Sequence, residues 1–330
     1  MNRDSKIMVS VCCIAYNHEK YIRECLDGFV IQKTNFEYEI IINADASTDR
    51  TADIIREYEK KYPNIIRGIY HTENQYSKGV CPEKFPFLAA KGKYIAMCEG
   101  DDYWSDPHKL QKQFDAMELN NNCHMCVHKV KIVSENGSTT GKYYAPEGIE
   151  TGVIASRDFL RLICDKYCVH TSSYFTIAKD MQEYISNPPG YTHIVEEAGD
   201  EKKFLYFGQL GDVYYFNDAM SCRRELCIGS WTSQHSNLSW EHEYERIRDL
   251  GEMMKSYDIF TGYRFHDICQ NRIDGALVGQ FGILAQQKQY KKLLQKEYKT
   301  LRKNWSWKYR AYVLIGAYCP WILKILHIDK

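Results

Sequence analysis

The sequence predicts an α/β fold: a mainly parallel sheet flanked by helices, followed by a helical C-terminal extension. Three observations lead there. Residues 1–130 alternate β-rich apolar runs with stretches of helical periodicity. Polar clusters close three of those runs, the level at which ligands bind in open parallel sheets. At 330 residues and 44% hydrophobic, the chain has material for a sizeable core, which excludes a disordered polymer and suggests about two domains at roughly 150 residues each.

Val9–Ala15 is the first strand, and Tyr16-Asn17 separates it from a helical segment over Glu19–Val30. Glu39–Ile42 is the second strand. It stops at Asn43-Ala44-Asp45-Ala46-Ser47-Thr48-Asp49, a run of turn and cap residues. The next helix sets Ile54, Ile55, Tyr58 and Tyr62 on one face. Ile65–Tyr70 and Tyr94–Cys98 are the third and fourth strands. Asp106-Pro107 then opens a helix, with Asp106 as N-cap and Pro107 at the first helical position. Further on, Cys126–Val130 and Val213–Phe216 read as strands, and Lys203–Leu210, Trp240–Lys255 and Asp267–Tyr290 as helices.

The formal charge is zero, from 43 Lys+Arg and 43 Asp+Glu, which argues against a dedicated nucleic-acid binder. The balance is uneven, however. Residues 286–330 hold 11 Lys+Arg against Glu297 and Asp329, a charge of +9, so the remainder carries −9. The 13 cysteines read as reduced, mostly buried thiols, because no apolar signal segment opens the sequence and a chain this long needs no disulfide staples. Cys123, Cys126 and His128 suggest half of a zinc site. Their only distant partners are Cys164 and Cys168, and the strand reading is preferred.

Neither common nucleotide fingerprint is present: no G-x-G-x-x-G follows the first strand, and no G-x-x-x-x-G-K-[ST] occurs. A carboxylate cluster offers another way to hold a diphosphate, through Mg²⁺ or Mn²⁺. Glu99-Gly100-Asp101-Asp102 follows a short apolar strand and precedes Tyr103-Trp104. Carboxylates so close repel one another unless a cation or water intervenes. Taken alone, the motif fits a solvated turn or a helix N-cap equally well.

In order, these motifs resemble family 2 glycosyltransferases, the GT-A (Rossmann-like) group, of bacterial surface-polysaccharide type, from Val9 to about Trp231. Val9-Ser10-Val11-Cys12-Cys13-Ile14-Ala15-Tyr16-Asn17 is similar to the family's opening strand. Asp45-Ala46-Ser47-Thr48-Asp49-Arg50-Thr51 is similar to its D-G-S-T-D-G-T turn. Glu99–Trp104 with Asp106–Leu110 resembles its D-x-D-D signature and the helix after it. Two departures stand out: Ala44 precedes Asp45 where many relatives have two adjacent acids, and Glu99 replaces the first Asp.

The resemblance implies transfer of a sugar from a nucleoside-diphosphate donor to an acceptor hydroxyl, with inversion. Tyr16, Asn17, Asp45 and Ser47 would line the base and ribose pocket. A carboxylate such as Asp45 can accept the N3–H of uracil, which makes a UDP-sugar the expected donor. Glu99, Asp101 and Asp102 would serve ribose and metal, with Asp101 and Asp102 as the expected ligands of Mn²⁺ or Mg²⁺, which neutralises the leaving diphosphate. The general base is expected at Asp200, in the Gly199-Asp200 pair before a helix. Glu196 and Glu197 compete for that role, and a plain N-cap is the alternative for Asp200. Met220–Arg224 and Gly229–Thr232 are similar to the segment that closes over the diphosphate. They bring Trp231 and Arg224, whose planar fork suits phosphate oxygens. His170-Thr171-Ser172-Ser173 would face the acceptor, and Trp104 or Trp231 would stack on a sugar or belong to the core.

The expected division is a catalytic domain over 1–238 and a helical region over 239–330. Residues 286–310 carry nine Lys+Arg and one Glu, interleaved with Tyr290, Leu293, Leu294, Tyr298, Leu301, Trp305 and Trp307. Ala311–Leu326 is mostly apolar but broken by Pro320 and Lys324, and its 16 residues fall short of the ~20 that span a bilayer. Such a tail suits the surface of an anionic membrane, with an ordinary packed C-terminal helix as the plain alternative. The expectation is a cytoplasmic enzyme, peripheral at the inner membrane face, acting on a glycan or lipid-linked acceptor in cell-surface polysaccharide synthesis, with no nucleic-acid partner. A nucleotidyltransferase would need a basic phosphate-gripping signature near the first strand, which Glu19-Lys20 does not supply. The non-enzymatic alternative is a nucleotide-sugar-binding scaffold.

Overall fold

The first strand, β1 (Val9–Ala15), contains no charged residue and sits in the middle of a parallel set. A computed structural model, which describes residues 6–166, 168–195, 199–225 and 239–325, pairs it with β2 (Tyr38–Ala44) on one side and β4 (Tyr94–Glu99) on the other. β3 (Ile66–Tyr70) lies beyond β2. The register sets Ala15 opposite Ala44 and Ile14 opposite Glu99, so three strands end at one level. That level is where an open parallel sheet offers a crevice.

The helices of this half bury the stripes their periodicity sets. α1 (Ile22–Val30) buries Ile22, Cys25, Leu26 and Phe29. α2 (Thr51–Lys61) buries Ile54, Ile55 and Tyr58, while Tyr62 stands just past its end. α3 (Lys84–Ala89) follows. α4 (Lys109–Leu119) begins two residues later than the N-cap pattern predicts. Asp106 Oδ1 instead accepts the His108 N–H at 2.8 Å, closing a turn ahead of the helix.

The second half of the first unit turns the sheet mixed. β5 (Tyr103–Trp104), β6 (Cys123–Val133), β7 (Thr139–Tyr144), β8 (Gly152–Ile154), β9 (Phe175–Ile177) and β10 (Asp212–Arg224) join it, with α5 (Ser156–Asp165), α6 (Ala178–Ser186) and α7 (Gly199–Leu210) between them. The sheet order is β3-β2-β1-β4-β9-β6-β10-β5, with β7 on β6 and β8 on β10. β9 runs antiparallel to both β4 and β6, and β6 and β10 are parallel.

The chain divides into two units, residues 1–189 with 198–236, and residues 190–197 with 237–330. The second is helical: α8 (Trp240–Phe260), α9 (His266–Gln286), α10 (Tyr290–Leu293), α11 (Trp307–Tyr318) and α12 (Pro320–Ile325). Tyr191 packs edge-on against Tyr257 at 5.2 Å. A separate core of Leu284, Tyr290, Leu293, Tyr298, Val313, Ala317 and Leu323 closes its C-terminal part. No described helix is long and apolar enough to cross a membrane. The described cysteines are free thiols, mostly buried. Cys123 and Cys126 lie in β6, and among the described residues no cysteine joins a ligand cluster.

Candidate active site

Two loops meet at the ends of β1 and β2, and hydrogen bonds lace them together. Asn17 and Ala46 both take left-handed backbone conformations, φ 55° each, which Asn tolerates better than Ala. The Asn17 N–H donates to Ser47 Oγ at 3.1 Å, and Asn17 Oδ1 accepts the Thr48 N–H at 2.8 Å. The His18 N–H reaches Thr51 Oγ1 at 2.8 Å, and the Glu19 N–H reaches Asp49 Oδ2 at 3.0 Å. Asn17 and Ser47, expected at the base and ribose, therefore also hold the shelf together. Tyr16 stays exposed beside them.

Asp45 is buried, and each of its oxygens accepts a backbone N–H, from Gln75 at 2.7 Å and from Tyr76 at 3.1 Å. A carboxylate so engaged anchors a loop. Each oxygen keeps acceptor capacity beyond the N–H it holds, so the 74–76 turn fixes Asp45 in place without using up its lone pairs.

The acidic turn leaves β4 at Glu99. Gly100 is needed there for close approach: a Cβ on it would lie 2.8 Å from His18 Nδ1 and 3.0 Å from Ile22 Cδ1. Asp102 is 2% exposed, and its Oδ1 accepts the Arg224 N–H at 2.9 Å. Its Oδ2 is buried with no hydrogen-bond partner among the described residues, and it lies 3.6 Å from His170 Nδ1. Glu99, Asp102 and His170 each bring one ligand atom to a group in which all three atoms lie within 4.8 Å of one another. Asp101, expected beside Asp102 as a ligand, is not in that group, and its carbonyl accepts from Arg224 Nη1 at 2.6 Å.

Charge in this cluster is unbalanced. Burial, then the charges of Asp101, Asp200 and Asp102, push the Glu99 carboxyl well above its usual range. Burial and Asp101 do the same to Asp102, against weaker opposition from the Arg224 N–H and from the charges of Arg223 and Arg224. Burial holds the His170 imidazole down at about 4, so it is neutral at pH 7 and has a lone pair to offer. An orphaned buried carboxylate oxygen, a second acid and a neutral imidazole make a donor set that fits a divalent cation.

His170 is held by the core. Trp104 Nε1 donates to the Ser172 carbonyl at 3.1 Å, and Gln113 Nε2 donates to the Ser173 carbonyl at 2.8 Å. Ser172 Oγ meets Ser221 Oγ at 2.8 Å, and the Ser172 N–H donates to His170 Nδ1 at 3.3 Å. Trp104 is buried against Phe29 and Lys109, whose ammonium stands 4.0 Å from the ring. It is a core residue and not a sugar platform.

The two neighbouring arginines of β10 face opposite ways, as strand alternation requires. Arg224, expected on the diphosphate, is buried. It ion-pairs with Glu24, bonds the Asp101 carbonyl, and lies over Tyr103 at 4.6 Å and Tyr21 at 5.2 Å. Its guanidinium fixes the acidic turn. Arg223 points to the cluster instead: its charge is felt by both Asp102 and His170, and it lies 5.8 Å over Tyr144, which stacks on His170 at 5.2 Å. Sequence reasoning missed Arg223, Tyr144 and the approach of His170 to Glu99 and Asp102.

Asp200 stands in the first turn of α7, and its charge is felt by Glu99, His170 and Tyr144. Lys203, one turn on and buried, lies 2.6 Å from Glu83 and 3.7 Å from Asp200. Those carboxylates raise its pKa against the opposing effect of burial. Glu196, Glu197, Trp231 and the Gly229–Thr232 segment lie outside the described residues.

Comparison with known proteins bears on the family and the fold. The family model described as "Glycosyl transferase family 2" matches residues 10–158. An uncharacterized protein of Mycobacterium tuberculosis is 44% identical over 280 residues, 83% of this chain and 75% of that protein. The poly(ribitol-phosphate) beta-glucosyltransferase of Bacillus spizizenii is 42% identical over 96 residues, 29% of this chain and 15% of that protein. Among solved structures, S. aureus TarS 1-349 in complex with UDP-GlcNAc is similar in fold, with a TM-score of 0.55 at 18% identity over 84% of this chain and 81% of that one.

Proposed function

The chain belongs to glycosyl transferase family 2 and is a glycosyltransferase, and from that premise we propose that it moves a sugar from a UDP-sugar to a hydroxyl of a cell-surface glycan or its lipid-linked precursor, with inversion. One observation carries the reading: the buried, unpartnered Asp102 Oδ2 beside Glu99 and His170, within the electrostatic reach of Asp200. The UDP-GlcNAc bound to S. aureus TarS supports a uridine donor, and the poly(ribitol-phosphate) beta-glucosyltransferase supports a polyol-phosphate acceptor.

Each residue has a task. Tyr16 and the Asn17–Ser47 shelf would take the base and ribose, with Asp45 holding the turn beside them. Glu99, Asp102 and His170 would hold Mn²⁺ or Mg²⁺, and Asp101 would serve the ribose. A bound divalent cation supplies Lewis-acid neutralisation of charge on the departing diphosphate. Arg223 would add its fork to the same oxygens, with Trp231 closing over them. Asp200 would take the acceptor's hydroxyl proton as that oxygen bonds the anomeric carbon and the diphosphate oxygen departs with the bonding pair. Lys203, 3.7 Å away, would help to orient the Asp200 carboxylate.

The test is release of nucleotide from a panel of UDP-sugars with Mn²⁺ or Mg²⁺ and a polyol-phosphate or glycan acceptor. Asp200→Asn should lower kcat by about 10²–10⁴ and leave UDP binding intact. Undiminished turnover in Asp200→Asn removes the base assignment, and turnover unaffected by chelator removes the cation.

A further inference from the structure

One face of α11 is apolar and turned to solvent. Trp307, Ala311, Leu314 and Tyr318 recur at spacings of four and three residues, which aligns them along a single stripe. Trp307 is 74% exposed, Leu314 48% and Tyr318 70%, and Trp321 of α12, at 61%, follows them in the chain. Single exposed hydrophobics are normal, but a row with two tryptophans marks an interaction surface.

The helix cannot roll over to hide the stripe. Its opposite face, with Val313, Gly316 and Ala317, packs into the core that holds Tyr290 and Leu293. Gly316 sits so close to Tyr290 that a Cβ there would lie 2.3 Å from a ring carbon.

Charge indicates the occupant. The helical period sets exposed Lys308 and Arg310 to either side of the stripe, and residues 286–330 carry +9. A second copy would bring like charges together. Aromatic side chains with basic neighbours suit the boundary between lipid headgroups and acyl chains. We propose that the stripe from Trp307 to Trp321 docks in the interfacial layer of an anionic phospholipid membrane, lying on it without crossing. The proposal goes beyond the sugar-transfer reading and does not depend on it, so its test needs no donor.

The full chain is sedimented with phosphatidylcholine vesicles with and without phosphatidylglycerol, at low and raised salt. It should co-sediment only with the anionic vesicles and come off with salt. The combined Trp307→Ser, Tyr318→Ser and Trp321→Ser variant should bind at least roughly tenfold more weakly, and Lys308→Glu with Arg310→Glu about tenfold more weakly, with the circular dichroism spectrum unchanged. A wild-type chain that stays in the supernatant overturns the proposal, as does a triple variant that binds like wild type. A vesicle-free dimer dissolved by the triple substitution would assign the stripe to a second copy instead.

Discussion

Asp102→Asn should make the metal-free protein more stable while removing its response to metal. The exchange is nearly isosteric. The asparagine Oδ1 keeps the bond from the Arg224 N–H at 2.9 Å. The variant therefore replaces a buried acid that is repelled by Asp101 and has an oxygen without a partner, a cost of about 1–3 kcal/mol, by a neutral amide. Arg223 and Arg224 lose a compensating charge, but their pull on Asp102 ranks below burial and the repulsion of Asp101. The net sign is stabilising.

The pH dependence follows from the same imbalance. The folded-state pKa of Asp102 lies well above its ordinary value of 3.8, so as pH rises past that value the unfolded chain ionises and the folded one does not. Wild-type stability must fall across that interval until the folded pKa is passed, and it does not recover above it. The variant lacks that loss, so its advantage opens above pH 3.8 and grows until the folded pKa is passed. Each kcal/mol is worth roughly 2–4 °C in Tm for a domain of moderate size. Mn²⁺ with UDP at a hundred times its Kd adds about 2.7 kcal/mol to the wild type only, so the order of the two melting temperatures inverts. Scanning fluorimetry in chelator and then in Mn²⁺ with UDP reads both effects. A variant that melts below wild type in chelator, or that gains as much from Mn²⁺, refutes the reasoning.

Three other perturbations separate roles within the site. His170 is held near 4 against an ordinary 6.5, so the folded state binds fewer protons below pH 6.5 and loses up to roughly 3 kcal/mol as pH falls to about 4. His170→Gln should flatten that acid limb in thermal melts and shrink the Mn²⁺ shift. Arg224→Ala, which strips the half-exposed Glu24 and the Asp101 carbonyl of their partner, should cost about 1–3 kcal/mol. Arg223→Ala should stay within ~1 kcal/mol of wild type and weaken UDP binding by roughly tenfold or more, as titration calorimetry would show. Lys203→Met leaves Glu83 charged and buried, for a loss of about 3–5 kcal/mol that adding Glu83→Gln should largely restore in chemical denaturation.

How legible the site was depends on what kind of order places each residue. The ends of β1, β2 and β4 were readable because each strand stops in its own polar cluster, and parallel pairing brings those ends to one level without further information. His170 was readable only as a polar residue before a strand. Its approach to Asp102 depends on β9 pairing beside β4, a choice of neighbour that no local period encodes. Arg223 and Arg224 differ by one position, and one position on a strand is the whole difference between its two faces. Motif alignment chose Arg224, whose guanidinium holds the acidic turn through the Asp101 carbonyl, and passed over Arg223 on the other face. The start of α4 was off for a smaller reason: Asp106 spends its side chain on His108, so the turn it closes precedes the helix.

A single physical distinction orders the remaining surprises. Asn17, Ser47 and Asp45 all resemble ligand-binding residues, and each has polar atoms bonded to the protein's own backbone. A polar group so satisfied gains less from a ligand than one the fold leaves without a partner. The groups with most to gain are those the fold leaves in deficit. Asp102 Oδ2 is desolvated and unpaired, Glu99 is pushed toward its proton, and His170 is kept neutral. Binding energy should therefore concentrate at these three, whereas substitutions at Asn17 and Asp45 should act first on stability. Resemblance of motifs points to where the site lies. The unmet bonding capacity there points to the residues that would bind.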